Sequence, residues 1–532
     1  MSPRRKIFRH YFLIFEGILD TYIHTDTRIC TLPACAIPIK TLFPSPGLQM
    51  SDDSIRTKFE KMRLNLSMKA PWAIFPRKRL DISLTDMAYG LQQCLIPDSE
   101  TRRATVEDEI ADVWGELTGM KSVLTCLSVR TALDVYLSTA GFFPGSEVIM
   151  SAVCIKDMAK VVQLHGLVPV VVDLHDEDLQ IQEDLLARAF TNKTRLLIVS
   201  HIFGVVPPMN GAIAMAQQHQ VPVFEDCAEC FTGPAGYKGH PESDLTAFSF
   251  GTIKTSTALG GCIVLCKDSD LRDAIVAKYA QYPMRPITNI AGRIAKYGVF
   301  HSVMRPDVYG AIVRSWTNVA GRDHFDDTVT TLSRGFPGAD LLAQIRYRPT
   351  TALLSLMLRR FQQFDSRQIE RRQERCEELR RIINSANLEV VHIPGARAAY
   401  HSYWLFPVCY DGDKSALCEH MLAHGFDVTA TATQLCTLDT YILDQAPQQK
   451  ELSPNVMRHL LSRVMYLPVT SEMPMWVLRK MGETFVAGVQ EANGGGPGDD
   501  GDDFDDDDWD DDDDWDDEEE EENSGTALIS KL

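Results

Sequence analysis

Short apolar segments alternate with amphipathic ones between residues 147 and 226. The apolar segments lack the polar alternation of half-exposed strands, which is typical of strands buried on both faces of a sheet. They are EVIMS (147–151), VPVVVDL (168–174), RLLIVSHIFG (195–204) and VPVFED (221–226). Helical spacing predicts helices from after the first strand to about 165, over 179–190 and over 210–219. Alternating strands and helices predict βαβ units and a mainly parallel sheet flanked by helices.

The C-terminal half has a different pattern. Apolar residues recur at steps of three or four over 352–383, which predicts one long helix. Two strands, 388–393 and 402–408, and a helix, 415–425, should follow in a smaller α+β domain. The predicted organisation is an N-terminal extension, a large domain, a long helix with a small domain, and a disordered acidic tail, with the bounds 1–75, 76–350, 351–488 and 489–532.

Polar residues end two of the predicted strands, and the carboxyl ends of parallel strands are where such sheets bind ligands. Asp226 ends one strand, and Ser200 and His201 lie near the end of another. A carboxylate at the end of a buried strand is costly unless a cation pairs with it.

A lysine, Lys254, lies in the otherwise interior-like segment SFGTIKTSTALGG (249–261). Lysine is rarely buried, so either its amine reaches water or a carboxylate, or it is a Schiff-base lysine that attacks a carbonyl. The second interpretation fits Asp226, which could bind the ring nitrogen of pyridoxal phosphate (PLP) and keep the ring an electron sink.

Neighbouring residues could hold the phosphate of that cofactor. Ser249 could donate a hydrogen bond to it, and Gly260 and Gly261 permit a tight backbone approach. A helix N-terminus also binds phosphate, and Ser128 stands at the N-cap position of a predicted helix in TCLSVRTALDVYL (125–137).

Five stretches together resemble the DegT/StrS-type aminotransferases, which are fold type I PLP-dependent transferases that typically aminate nucleotide-linked keto-sugars. They are LSVRTAL, PGSEVIMSA, HGLVPVVVDL, VFEDCAECFTGPAGYKGHPESDLTAFSF and GTIKTSTALGG. The resemblance implies that Lys254 carries the cofactor, Asp226 pairs with its ring nitrogen and Ser249 binds its phosphate. It gives Asp244 and Phe248 scaffold roles. Lysine in place of the histidine of related sugar dehydratases implies amino transfer.

The chain departs from the family at several implied cofactor contacts. Val129 and Arg130 follow Ser128 where the family has Gly-Thr, and we expect Arg130 to bind the phosphate bidentately. Ile155 stands at the position of the ring-stacking aromatic residue, and Glu229 replaces a glutamine near the phenolic oxygen. Arg346 replaces the asparagine of the motif that reaches the site of the partner subunit.

These residues indicate a homodimeric PLP-dependent aminotransferase with two globular domains. An amino acid, glutamate being the favoured donor, would give its nitrogen to a keto-sugar or a similar carbonyl compound. Two alternatives stay open, namely another PLP reaction on the same lysine and a cofactor-binding or regulatory homologue without turnover.

Composition excludes some other classes. Residues 499–522 carry 20 of the 73 acidic residues, so the rest of the chain is near neutral and lacks the basic surface of a nucleic-acid-binding protein. The 13 cysteines are scattered as expected of reduced thiols. The pair Cys227 and Cys230 lacks the second pair of a common zinc motif, so no metal is expected.

The sequence predicts no membrane span. It ends in Ser530, Lys531 and Leu532, the form of a peroxisomal import signal. We therefore expect recognition by a peroxisomal import receptor, with a cytoplasmic location as the alternative.

Overall fold

A computed structural model describes residues 62–118, 122–320, 340–430, 434–442 and 446–494. Most of the N-terminal extension, most of the acidic tail and the terminal Ser-Lys-Leu therefore lie outside the described residues, and the expectations about them remain predictions.

Fourteen strands are described. They are β1 (Val123–Cys126), β2 (Glu147–Ser151), β3 (Val153–Ile155), β4 (Val168–Val172), β5 (Thr194–Ser200), β6 (Val205–Val206), β7 (Val223–Asp226), β8 (Leu245–Ser249), β9 (Cys262–Cys266), β10 (Val391–His392), β11 (Tyr400–His401), β12 (Phe406–Tyr410), β13 (Leu435–Thr437) and β14 (Val464–Leu467).

The helices follow the strands closely in sequence. After a helix over 62–68, those of the large domain are Leu84–Cys94, Glu100–Thr118, Val129–Ala140, Lys156–Leu164, Glu183–Ala189, Asn210–Gln218, Ser269–Tyr279, Ile287–Val303, Pro306–Ala320 and Leu341–Ile345. The others are Thr351–Gln362, Arg367–Ser385, Lys414–Ala423, Asn455–Arg463 and Met475–Ala492, and two 3₁₀ turns lie at Leu438–Tyr441 and Pro447–Glu451.

The large domain is built on a seven-stranded sheet in the order β1-β9-β8-β7-β5-β2-β4. Strands β8, β7, β5, β2 and β4 pair in parallel, whereas β9 runs antiparallel between β8 and β1. Every residue of β2, β7 and β9 is buried, as the absence of polar alternation predicted. The predicted α/β fold with a mainly parallel sheet is confirmed.

The C-terminal domain has an antiparallel sheet in the order β10-β12-β14. Its core packs against the helices Arg367–Ser385 and Met475–Ala492, and it includes Leu64 and Phe75 from the first described residues. Phe75 also pairs with Phe426 in an isolated bridge. The segment just before the large domain is therefore part of the core of the C-terminal domain.

Two short sheets join the domains. In one, β11 pairs with β6, with Tyr400 opposite Val206 and His401 opposite Val205. In the other, β13 pairs with β3, with Leu435 opposite Ile155. Both β3 and β6 follow soon after carboxyl ends of the central strands, so residues from the C-terminal domain lie near the predicted ligand edge.

The prediction of one long helix over 352–383 was wrong. The chain breaks between Gln362 and Arg367. The carboxylate of Asp365 accepts the backbone N–H of Arg367 at 3.1 Å, which starts the second helix as a local cap. Phe364 packs on Phe231 with ring centroids 5.2 Å apart, so an apolar step in the sequence pattern is satisfied outside a helix.

The strands predicted at 388–393 and 402–408 also differ from the observed ones. The first is reduced to Val391–His392, and the second begins only at Phe406. Tyr403 has a φ of 49°, a left-handed conformation that ends strand pairing and redirects the chain at Trp404.

Among the described helices, none combines the length and apolar character needed to cross a bilayer.

Candidate functional site

Strand register brings the predicted residues to one edge of the sheet. Asp226 of β7 pairs with Ser200 of β5 on one side and with Ala247 of β8 on the other. Ser249 ends β8 opposite Cys262, which also faces Cys126 at the end of β1. Asp226, Ser249 and the segment after β1 that contains Ser128 therefore share the carboxyl edge of the sheet.

Asp226 is a buried carboxylate, 6% exposed. Its Oδ1 accepts the backbone N–H of Ala228 at 3.1 Å, and its Oδ2 lies 3.8 Å from the thiol Sγ of Cys154. Burial raises the pKa of Asp226, and the nearby charge of Lys254 opposes that shift. The carboxylate thus retains acceptor capacity that a buried cationic N–H would satisfy.

Lys254 lies in the turn that follows β8, and its side chain is 15% exposed. Its Nζ donates to Oε1 of Glu229 at 3.1 Å and lies 3.8 Å from the centroid of the Trp404 ring. The carboxylate interpretation and the Schiff-base interpretation of this lysine are compatible, because the amine has a carboxylate partner and is still close to Asp226.

Glu229 joins this lysine to the backbone of a neighbouring loop. Its Oε2 accepts the N–H of Phe203 at 3.0 Å while its Oε1 accepts from Lys254. Burial raises the pKa of Glu229, and the charge of Lys254 counteracts the rise. A glutamine, the family residue, would keep a hydrogen bond to Lys254 but would leave its charge uncompensated.

The helix Val129–Ala140 begins at the same edge. Ser128 is its N-cap and accepts the N–H of Thr131 at 3.2 Å, so the predicted cap is confirmed. Val129 is buried in the first turn. Arg130 forms a salt bridge from Nε to Oδ2 of Asp157 at 2.8 Å, with only 16% of its side chain exposed. Its charge is among those that lower the pKa of Asp226, which places Arg130 within electrostatic reach of the site.

The end of β8 supplies the second part of a phosphate cradle. The Oγ of Ser249 accepts the N–H of Gly251 at 3.3 Å. Gly261 has a φ of 90°, and a Cβ there would collide with Sδ of Met357, so the predicted close approach at this glycine is confirmed. Asp244 and Phe248 serve the scaffold as implied: Asp244 accepts the N–H of Val223 at 2.8 Å, and Phe248 is buried against Trp114.

These donors fit PLP. A buried carboxylate with free acceptor capacity, a lysine within its electrostatic field, and a serine-capped helix N-terminus occupy one sheet edge, and they suit a pyridine nitrogen, an aldehyde and a phosphate respectively. Asp226, Lys254, Ser249 and Ser128 are the residues that would hold the cofactor.

Two predicted positions differ more from the family. Ile155 is half-buried at the end of β3, where it begins the helix Lys156–Leu164 and pairs with Leu435. Arg346 binds Asp134 of its own subunit, with Nη2 2.9 Å from Oδ1. Asp134 is buried and also accepts from His165 and Tyr282. Arg346 is therefore anchored within its own chain, and 41% of its side chain is exposed.

Sequence reasoning missed three contacts of the site. Trp404 was assigned to a strand, Asp157 carried no signal as the partner of Arg130, and Lys78 was placed just inside the large domain without a role. The pKa of Lys78 is lowered to about 8, mainly because of burial, with contributions from the charges of Arg77 and Lys254. Lysine next to arginine in RKR (77–79) was the only local signal for that amine.

Comparison with known proteins matches this segment. The model of the DegT/DnrJ/EryC1/StrS aminotransferase family matches residues 97–285. A UDP-2-acetamido-2-deoxy-3-oxo-D-glucuronate aminotransferase of Pseudomonas aeruginosa is 29% identical over 182 residues, 33% of this chain and 49% of the relative. A UDP-N-acetyl-3-dehydro-alpha-D-glucosamine 3-aminotransferase of Acidithiobacillus ferrooxidans is 32% identical over 163 residues, 30% of this chain and 44% of the relative. The chain thus spans less than half the length of each.

Solved structures extend the likeness in fold over most of the chain. The aminotransferase PseC of Helicobacter pylori has a TM-score of 0.57 at 14% identity and covers 79% of this chain and 100% of its own. A Bacillus subtilis protein with bound cofactor PMP has a TM-score of 0.54 at 14% identity, covering 77% of this chain and 82% of its own. Residues 97–285, which contain every predicted cofactor contact, therefore belong to the DegT/DnrJ/EryC1/StrS aminotransferase family.

Proposed function

We propose that this protein is a PLP-dependent aminotransferase that moves an amino group from an amino acid, glutamate in the first instance, to a keto-sugar or a related carbonyl compound. The observation that carries the proposal is the buried carboxylate of Asp226 beside Lys254, within the segment that matches the family. The relatives act on sugar and cyclitol ketones according to their names, which supports the acceptor class.

When bound, PLP supplies an aldehyde that condenses with amines and a ring that accepts electrons from the bond being broken. Asp226 holds a proton on the ring nitrogen by pairing with its positive charge. Its burial makes that pairing strong, because few water molecules compete for the carboxylate.

Lys254 would move a proton between the donor carbon and the cofactor carbon attached to the nitrogen. Glu229 holds the amine on the same side as Trp404, at 3.1 Å from Oε1. A carboxylate partner also stabilises the protonated amine between transfers, so Lys254 can return the proton it has taken. This arrangement favours proton shuttling by one lysine, which amino transfer requires in both half-reactions.

The test is a half-reaction on the full-length protein loaded with PLP. Glutamate should bleach the visible band of the cofactor–lysine adduct, and one equivalent of 2-oxoglutarate should be released per site. A nucleotide-linked keto-sugar should then restore the band. Loss of an eliminated group without 2-oxoglutarate would indicate another PLP reaction, and an unchanged band with every amino acid would indicate a homologue without turnover.

Variants of two lysines separate the assignment of Lys254 from the assignment of the reaction. Borohydride reduction followed by peptide mapping should label Lys254 in the parent protein. Lys254→Ala should lose the label, whereas Lys267→Ala should keep it, because Lys267 is 41% exposed and pairs with Glu242. A reducible adduct at another lysine in Lys254→Ala would refute the assignment.

We also propose that the active form is a homodimer, as the family builds its site across two subunits. The exposed part of Arg346, beside its anchor Asp134, is the candidate contribution to the neighbouring site. Sedimentation should give a dimer, and Arg346→Ala should weaken acceptor binding without lowering the PLP content. A monomer that is fully active would contradict the proposal.

A further inference from the structure

A second cluster of side chains lies directly behind the strand end that carries Asp226. It consists of His201, Cys227 and Cys230, whose potential ligand atoms all lie within 4.8 Å of one another. All three residues are buried, with at most 1% exposed. Three donors that converge in the interior usually satisfy one another or bind an ion, because an unpaired polar group is costly there.

The imidazole of His201 is not satisfied by hydrogen bonds. Neither ring nitrogen has a hydrogen-bond partner within the part of the chain that the structure describes. Its Nε2 lies 3.0 Å from Oε2 of Glu225, but without the alignment of a hydrogen bond. A metal ion would accept the lone pair of this ring directly.

Glu225 adds a carboxylate next to the three donors. It is fully buried, and its Oε2 lies 3.9 Å from Sγ of Cys227 as well as 3.0 Å from the imidazole. Such separations are close to those between two ligands of one tetrahedral ion. Tyr237 donates to Oε2 at 2.8 Å, and the backbone N–H of His240 donates to Oε1 at 2.6 Å, so the carboxylate is held in place.

We propose that His201, Cys227 and Cys230 bind a zinc ion, with Glu225 as the fourth ligand. Two thiolates neutralise the ion, and a neutral imidazole and a carboxylate complete a tetrahedral N, O and S donor set of the kind zinc takes. Sulfur donors disfavour magnesium and calcium, which require oxygen ligands.

The ion would hold together the ends of two neighbouring strands. His201 follows β5 and its backbone N–H donates to the carbonyl of Asp226 at 3.0 Å, while Cys227 follows Asp226 along the chain. The site is thus a structural support for the Asp226 segment, and its binding free energy contributes to folding. It is independent of the proposed amino transfer, because it uses none of the predicted cofactor contacts.

The experiment measures zinc in the full-length protein after extensive washing with a weak chelator under reducing conditions. One zinc per chain is expected. Cobalt exchanged for zinc should give a cobalt–thiolate charge-transfer band, which carboxylates alone do not give. This band distinguishes the site from cations held by the acidic run at 499–522.

Cys230→Ala and His201→Asn should lose the zinc and the cobalt–thiolate band. Cys409→Ala is the matched control, since Cys409 is also buried but lies in β12 of the C-terminal domain, and it should keep both. Strong chelation should lower the melting temperature of the parent and leave that of Cys230→Ala unchanged.

Three outcomes would overturn the proposal: parent protein that contains no zinc and gives no cobalt–thiolate band, a band that persists in Cys230→Ala, or a disulfide between Cys227 and Cys230 in the protein as isolated. Zinc content and the band are read without any turnover assay. Failure of the aminotransferase proposal would therefore leave this result unaffected, and the converse also holds.

Discussion

The amine of Lys254 lies against the indole face of Trp404, with Nζ 3.8 Å from the ring centroid. The indole is held in that position because its Nε1 donates to the carbonyl of Ile253 at 2.9 Å. A cation over an aromatic face is stabilised by the ring quadrupole, by about 0.5–2 kcal/mol depending on burial. A residue of the C-terminal domain therefore forms one wall of the candidate catalytic site.

We expect this contact to be visible in tryptophan fluorescence. Addition of PLP to the cofactor-free protein should quench part of the emission, and Trp404→Phe should remove a larger share of that quenching than Trp476→Phe. Trp476 is the control because it lies in the C-terminal helix and donates to Asn65. Equal loss of quenching in the two variants would contradict the placement of Trp404 at the site.

Asp226→Asn should have opposite effects on stability and turnover. Burial raises the pKa of Asp226, so the folded cofactor-free protein binds that proton more tightly than the unfolded chain. The free energy of unfolding should fall as pH rises from the ordinary aspartate value through the raised value, and it should stay lower above it. The variant should lack this loss, which is about 1.4 kcal/mol for each unit by which the pKa is raised.

Turnover should fall roughly 100-fold or more in the same variant, because an amide cannot hold the charge of the ring nitrogen. Urea unfolding of the cofactor-free protein over the acid range and steady-state kinetics of the loaded protein test the two parts. Asp184→Asn is the control, since that carboxylate is 73% exposed. A fully active Asp226→Asn protein would refute the assigned role.

Arg130→Ala should raise the apparent dissociation constant for PLP by roughly 10-fold or more, the loss of one charge-assisted hydrogen bond. Asp157→Asn is the matched control because it releases Arg130 from its 2.8 Å salt bridge without removing the guanidinium. Equilibrium titration of the cofactor should show weaker binding in the first variant and equal or tighter binding in the second. An unchanged constant in Arg130→Ala would mean that the arginine only anchors Asp157.

Arg346→Asn, which restores the family residue, should destabilise this protein by about 1 kcal/mol. The buried carboxylate of Asp134 would lose one of three partners, but the arginine is 41% exposed and water screens part of the interaction. Thermal unfolding should show the loss, and Arg397→Asn should show none, because its pair with Glu177 is exposed. A stability equal to that of the parent would show that His165 and Tyr282 suffice.

Local sequence order was enough to place Asp226, Lys254 and Ser128, because each sits at an element end with its own signature: a buried strand, a turn before two glycines and an N-cap. It was not enough to identify their partners. Arg130 and Asp157 are 27 residues apart, and Lys254 and Trp404 are 150 apart, so only tertiary packing brings them together.

The same limit explains the errors. The helix break at Asp365 depends on a side chain that competes with the backbone, which periodicity does not record. The third donor beside Cys227 and Cys230 comes from the end of a neighbouring strand, so no spacing motif in the sequence could reveal His201.

The pairing of β11 with β6 sets an order of assembly during synthesis. A growing chain that has not yet reached Tyr400 can complete the central sheet and position Lys254, but it has neither the second strand of this pair nor Trp404. Folding on the ribosome proceeds largely from the N-terminal side, so the candidate site stays open until the C-terminal domain emerges. Truncated chains would therefore expose the amine to any aldehyde in the cell, whereas the complete chain admits only carbonyl compounds that reach it past the indole.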